Sequence, residues 1–192
     1  MPLLLIAVVM AVLIYVPSLW VRRIMSKHSK EVEGLAGTGG ELAKHLIERF
    51  DLSGIRVEET AANTDHFDPS AGAVRLSAKN LNGKSLTAIA VAAHEVGHAI
   101  QFHRNEKIFE LRKRYLPLAM RLNQVGIILM VCIPFIALLL RAPMAIGVVI
   151  AVSLLLQLAG AFAYLIILPE EWDASFNKAL PILIEGEYIS AE

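Results

Sequence analysis

Three long apolar runs organise the chain. Leu3 to Val21 carries no charge, Leu122 to Leu140 lies between Arg121 and Arg141, and Met144 to Leu168 ends at Pro169 and the pair Glu170-Glu171. About 20 apolar residues cross a bilayer core as a helix, so each run predicts a span. Only Arg141-Ala142-Pro143 separates the second from the third, which predicts a helical hairpin. A cleavable signal peptide carries its basic residues before the apolar run and small residues after it. Here Arg22, Arg23, Lys27 and Lys30 follow the first run, so it reads as an uncleaved anchor.

The pattern between the first and second runs is that of a small soluble domain, residues 22–121. Thr38, with Glu41 three residues on, fits a capping box. It opens an amphipathic helix over Leu42 to Phe50, in which Leu42, Leu46, Ile47 and Phe50 share one face. Gly54 closes that helix. Ile55-Arg56-Val57-Glu58 alternates as a strand does. Asp65 to Pro69 reads as a turn, with His66 left open between turn and cleft. Ala73 to Ser77 is a second strand, either an edge that could receive an extended peptide or an ordinary core strand. Asn82-Gly83 marks another turn. Ser85 to Gln101 is the longest soluble helix, and a further helix over Arg104 to Leu116 leads towards the second span.

Composition changes this picture in two ways. Apolar residues make up 56% of the chain and charged residues 19%, which is the balance of a membrane protein rather than of a soluble domain. There are 18 basic and 18 acidic side chains, and that neutrality argues against a nucleic-acid partner. One cysteine, Cys132, excludes a Cys-rich zinc site and any disulfide within the chain. Lysine and arginine concentrate between Arg22 and Arg121, with Arg141 and Lys178 the exceptions. The positive-inside rule then puts residues 22–121 in the cytoplasm, with the N-terminus and the hairpin turn outside. The spans hold no Asp, Glu, Lys, Arg or His, which gives little support to an ion or proton path.

The candidate chemistry lies at His94-Glu95-Val96-Gly97-His98. Residues four apart on a helix lie on one face, so His94 and His98 can offer imidazole nitrogens to one tetrahedral Zn²⁺. Glu95 can reach a water at the open position and serve as general base, and the same carboxylate can return the proton to a leaving amine. The flanks Ile89 to Ala93 and Ala99-Ile100 carry no charge. They imply a buried helix, where two histidines and a glutamate are costly unless they have partners. A pair of core histidines satisfied by hydrogen bonds is the plainer reading of the same residues.

A catalytic zinc site needs a third protein ligand. The extended pattern H-E-x-x-H-x-x-G-x-x-H is excluded by Gln101 and Arg104. His103 lies about 140° around the helix from His98 and reads as a solvated helix end. Glu106 and Glu110 read as exposed charges. Glu170-Glu171-Trp172-Asp173 is brought back to the cytoplasmic side by two crossings, although acids there also suit a helix dipole. Asp173 is a candidate for orienting a ligand histidine. Within the third span, Gln157 is read as bonding between helices, and Gly160 and Ala163 as permitting close packing.

These residues carry a family resemblance. Thr64 to Pro69, Val74 to Ser77, Asn82 to Ser85, Val91 to Gln101 and Leu168 to Ser175 resemble the neutral zinc metallopeptidases of the YugP type, membrane zinc peptidases distantly similar to the HtpX-type membrane proteases. The resemblance implies that Glu171 completes the zinc site with His94 and His98, and that a further apolar helix follows Glu192. The expected protein is mainly α: three transmembrane helices with a small zincin-like α/β cytoplasmic domain between the first and second. Its parts are an anchor (1–21), the catalytic domain (22–121), the hairpin (122–168) and a cytoplasmic helix supplying the third ligand (169–192). The expected activity is hydrolysis of polypeptides at the cytoplasmic face of the inner (plasma) membrane, with one Zn²⁺ per chain. The competing class is a non-catalytic membrane protein braced by a structural metal, which has no need of an acid at Glu95.

Overall fold

The computed structural model describes residues 16–140 and 142–189. They fall into two compact units, one holding residues up to Ile100 together with those from Ser175 on, the other holding Gln101–Ala174. Most of the expected first span, and Arg141 of the hairpin turn, lie outside the described residues. From residue 16 to residue 27 the chain is helical (α1), with Val16, Leu19, Trp20 and Val21 exposed.

In the first unit, α2 (Gly39–Arg49) starts with the expected capping box: Thr38 accepts from the Glu41 amide, and Glu41 accepts from the Thr38 amide. Those reciprocal bonds satisfy two backbone donors that a helix start leaves open. They also hold the Glu41 carboxyl below the usual carboxylate range, the Thr38 amide first. Leu42, Ala43 and Leu46 bury the inner face of α2. The helix ends at Arg49, earlier than Gly54 implied. Gly54 instead takes a φ of +83° in the turn that follows, a conformation open to glycine at little cost.

Three strands follow: β1 (Arg56–Thr60), β2 (His66–Asp68) and β3 (Ala73–Ser77), ordered β1-β3-β2. β3 pairs parallel to β1, with Val74 opposite Val57, and antiparallel to β2, with Val74 opposite Phe67. β3 is therefore the central strand, its Ala73, Val74, Leu76 and Ser77 buried, and the core-strand reading replaces the edge reading. The expected turn over 65–69 is displaced because Phe67 is buried, and so holds His66–Asp68 in the sheet. The turn comes after Asp68, whose Oδ1 accepts from the Ser70 and Ala71 amides at 2.9 and 3.1 Å and from the Ser70 hydroxyl. Asp65 accepts from the amide and hydroxyl of Ser77, which ties the end of β3. The short helix α3 (Ala78–Asn82) precedes Gly83, where the sequence suggested only a turn.

Asp68 also pairs with Arg75 at 2.5 Å, and Arg75 reaches Glu58 at 3.1 Å. The Ser70 hydroxyl, then the Ala71 amide, hold the Asp68 carboxyl down at about 2, from an ordinary 3.8. A carboxyl lowered by folding stabilises the native state above its unfolded pKa, and that stability fades as pH falls towards the folded value. Asp68→Asn is therefore expected to leave the melting temperature less dependent on pH between about pH 4 and pH 2. Circular-dichroism melts of the detergent-solubilised protein measure it, and an unaltered acid profile would contradict it.

Helix α4 (Leu86–His103) is capped by Ser85, whose hydroxyl accepts from the Ala88 amide at 3.2 Å. Thr87 donates to the carbonyls of Met25 and His28, which fastens the end of α1 to the start of α4. Ala88, Ile89, Ala92, Ala93, Val96, Ala99 and Ile100 are buried, as the uncharged flanks of the histidine motif implied.

The second unit is built on α5 (Lys107–Leu140) and α6 (Pro143–Trp172). The separate helix expected over Arg104 to Leu116 and the second span are one continuous helix. Pro169 does not start a new element. It lies inside α6, which passes into a π-helical turn (Asp173–Ala179) and α7 (Leu180–Glu185). Proline is tolerated inside apolar spans, where surrounding groups can satisfy the freed backbone. Close packing of α5 on α6 turns on Gly160, where a Cβ would meet the Ala119 carbonyl at 3.1 Å. Within the apolar stretches, Ser153 links the two helices by donating to the Gly126 carbonyl at 2.6 Å. Gln157 bonds back to Ser153 on its own helix rather than across. Phe135, Leu139, Leu155, Phe162 and Leu165 are exposed. Two described helices, Lys107–Leu139 and Pro143–Glu185, are long and apolar enough to cross a membrane.

Candidate metal centre

His94 and His98 occupy successive turns of α4. Their Nε2 atoms face each other at 3.1 Å, with ring centroids 4.6 Å apart and planes at 80°. Zinc–imidazole bonds are about 2.0–2.1 Å, so two nitrogens on one tetrahedral ion stand about 3.3 Å apart. The observed spacing fits that edge. His98 is 2% exposed and Glu95 7%, while His94 is half-buried. Ala92, Ala93 and Ala99 beside them are fully buried as well.

The other nitrogen of His94, Nδ1, lies 3.1 Å from the Ser175 hydroxyl. With Nε2 turned to a metal, Nδ1 carries the proton and donates to that oxygen, which fixes both tautomer and ring plane. Ser175 belongs to the π-helical turn. Wider turns of this kind shift the phase of the residues after them and recur at functional sites.

In the second unit, the acidic segment at the end of α6 is organised by two polar side chains. Gln101 is fully buried and donates to the Glu170 carbonyl at 3.1 Å and to Asp173 Oδ2 at 2.9 Å. Nη1 of Arg112, on α5, bonds Glu170 Oε2 at 3.2 Å and also bonds Glu171 Oε1. The two adjacent acids differ sharply. The Glu170 side chain is wholly buried, whereas that of Glu171 is 39% exposed.

His94 and His98 belong to the first unit and Glu171 to the second. Two imidazoles and a carboxylate make a donor set suited to zinc, with a position left for solvent. The residues present therefore fit the metal that the histidine spacing predicted.

Residues 3–192 match the family described as "Putative neutral zinc metallopeptidase", and the chain belongs to that family. It is 32% identical over 169 residues to "Putative membrane protease YugP" of Bacillus subtilis (strain 168), an alignment covering 86% of this chain and 71% of that relative. No solved structure matches the chain. Membership of the family implies zinc and a peptide substrate, and the apolar helices imply association with a membrane.

His103, read as a helix end, is exposed at the last position of α4, and Glu110 is exposed. Asp173, read as a partner for a ligand histidine, accepts from Gln101. Sequence reasoning missed Ser175 on His94 and Arg112 on the acidic pair. Ser175 stood within the segment that resembled the family, but a serine carries no signal of its own. Arg112 is followed directly by Lys113 and Arg114, and nothing in that run sets it apart.

Proposed function

We propose that the chain is a membrane-bound, zinc-dependent endopeptidase that hydrolyses polypeptides at the cytoplasmic surface. The observation that carries this reading is the pair of Nε2 atoms facing each other at 3.1 Å, with Glu95 between the two histidines in sequence. In this reading His94, His98 and Glu171 hold one Zn²⁺. When bound, zinc supplies Lewis-acid polarisation of the scissile carbonyl and a lowered pKa for water at its open position.

The protein's own groups do the rest. Glu95 takes a proton from the attacking water and passes it to the departing amine nitrogen, the two roles of a single general acid–base residue. Its burial keeps the carboxylate from being fully screened by bulk water, which strengthens its interaction with charge in the site. Ser175 holds the His94 ring. The basic residues from Arg22 to Arg121 set the cytoplasmic orientation, and the apolar helices confine the protein to the bilayer, so the substrates are unfolded or membrane-proximal polypeptides.

Casein hydrolysis by the full chain in detergent tests this reading. Activity is expected to be lost on treatment with a strong chelator and restored by adding zinc. Hydrolysis that survives complete removal of metal would overturn it.

A further inference from the structure

Arg112 is bonded to both acids at the end of α6. The two acids pose different problems. Glu170 is wholly buried, and a buried carboxylate is costly without a paired charge and hydrogen bonds. Glu171 is partly open, on a long side chain with three rotatable bonds, and would have to give up that freedom to bind a metal. One guanidinium nitrogen on α5 serves both. It compensates Glu170, and it also bonds Oε1 of Glu171.

Resting on the zinc reading of Glu171, we propose that Arg112 is the positioning residue of the third ligand. The guanidinium holds the Glu171 carboxylate, so that the side chain keeps a single pose. Buried Glu170 anchors the guanidinium in turn, since at zero exposure it has no solvent alternative. Gln101 holds the backbone of the same turn through the Glu170 carbonyl, so the ligand is fixed both by its side chain and by its main chain. Hydrogen-bond partners of metal ligands commonly change metal affinity 10–100-fold when removed, a range of about one to two orders of magnitude.

The test is zinc affinity, read by competition with a chromophoric chelator on the full chain in detergent. Arg112→Gln alone leaves Glu170 buried without its cation and can impair folding. The measurement is therefore made in a Glu170→Gln background, where that charge is gone. There, Arg112→Gln is expected to weaken zinc binding by about 10–100-fold, with Arg112→Lys recovering part of the loss. In a Glu171→Ala background the same Arg112→Gln substitution is expected to change affinity little, because the group it positions is absent. Equal or tighter zinc binding after Arg112→Gln in the Glu170→Gln protein would overturn the proposal and leave Arg112 as a structural counter-ion. Failure of the unsubstituted protein to bind zinc would instead overturn the zinc reading itself, a distinct result.

Discussion

Glu95→Gln is expected to lower peptide hydrolysis by roughly 10²–10⁴-fold, the range supplied by a positioned general acid–base group, with zinc content unchanged. The amide is nearly isosteric with the acid, so α4 keeps its packing at a position that is 7% exposed. What changes is chemical: a neutral amide cannot take a proton from water or hand one on. Casein turnover and zinc content measured on the same preparation separate the two roles. A structural metal site has no use for an acid here, so unchanged turnover would remove Glu95 from the mechanism. Loss of zinc together with activity would make Glu95 part of the metal's support rather than its proton carrier.

His98→Ala has the second large effect. His98 is 2% exposed and faces His94 across 3.1 Å. Removing it takes away one of three proposed ligands and leaves a cavity beside the remaining imidazole. Losing an outer partner of a ligand costs about 10–100-fold in affinity, and losing a ligand outright is expected to exceed that. The substituted chain is therefore expected to purify without zinc and without activity. A cavity of this kind also destabilises, as truncation of large core side chains does by about 2–5 kcal/mol. His98→Gln, which fills more of the space, separates loss of the ligand from loss of packing, because it is expected to fold better and still to lack zinc.

The helix carrying the histidine pair was legible because its signals are local. The i, i+4 histidines and the uncharged flanks state both the face and its burial, and α4 carries them as expected. The capping box was legible for the same reason: Thr38 and Glu41 are three residues apart and complete each other's bonds. The sheet was less so. Ala73–Ser77 reads as a strand, yet nothing in five residues says whether it lies at the centre or the edge. Phe67 decided β2 by being buried, a tertiary fact that outweighs the turn preference of Asp65, Asp68 and Pro69. Pro169 misled in the opposite direction. A proline before two acids reads as a helix start, whereas α6 runs through it, and the turn that follows is π-helical.

The partners of the candidate ligands were the least legible part. Ser175 and Arg112 are remote in sequence from the groups they bond, 81 positions from His94 and 59 from Glu171. Neither has a residue type that singles it out. A pairing of that range becomes visible once the elements carrying its two ends are in place. Gln101 is the intermediate case, a fully buried amide at the end of an otherwise apolar face. Its polarity in that pattern marks it as bonded without naming the bond.

Metal analysis of the purified, folded full chain tests the central claim most directly, with His98→Ala measured beside it. One zinc ion per unsubstituted chain, absent from His98→Ala, is the predicted result. An unsubstituted chain that takes up no divalent ion when supplied with one, or a His98→Ala chain that retains zinc undiminished, would contradict it.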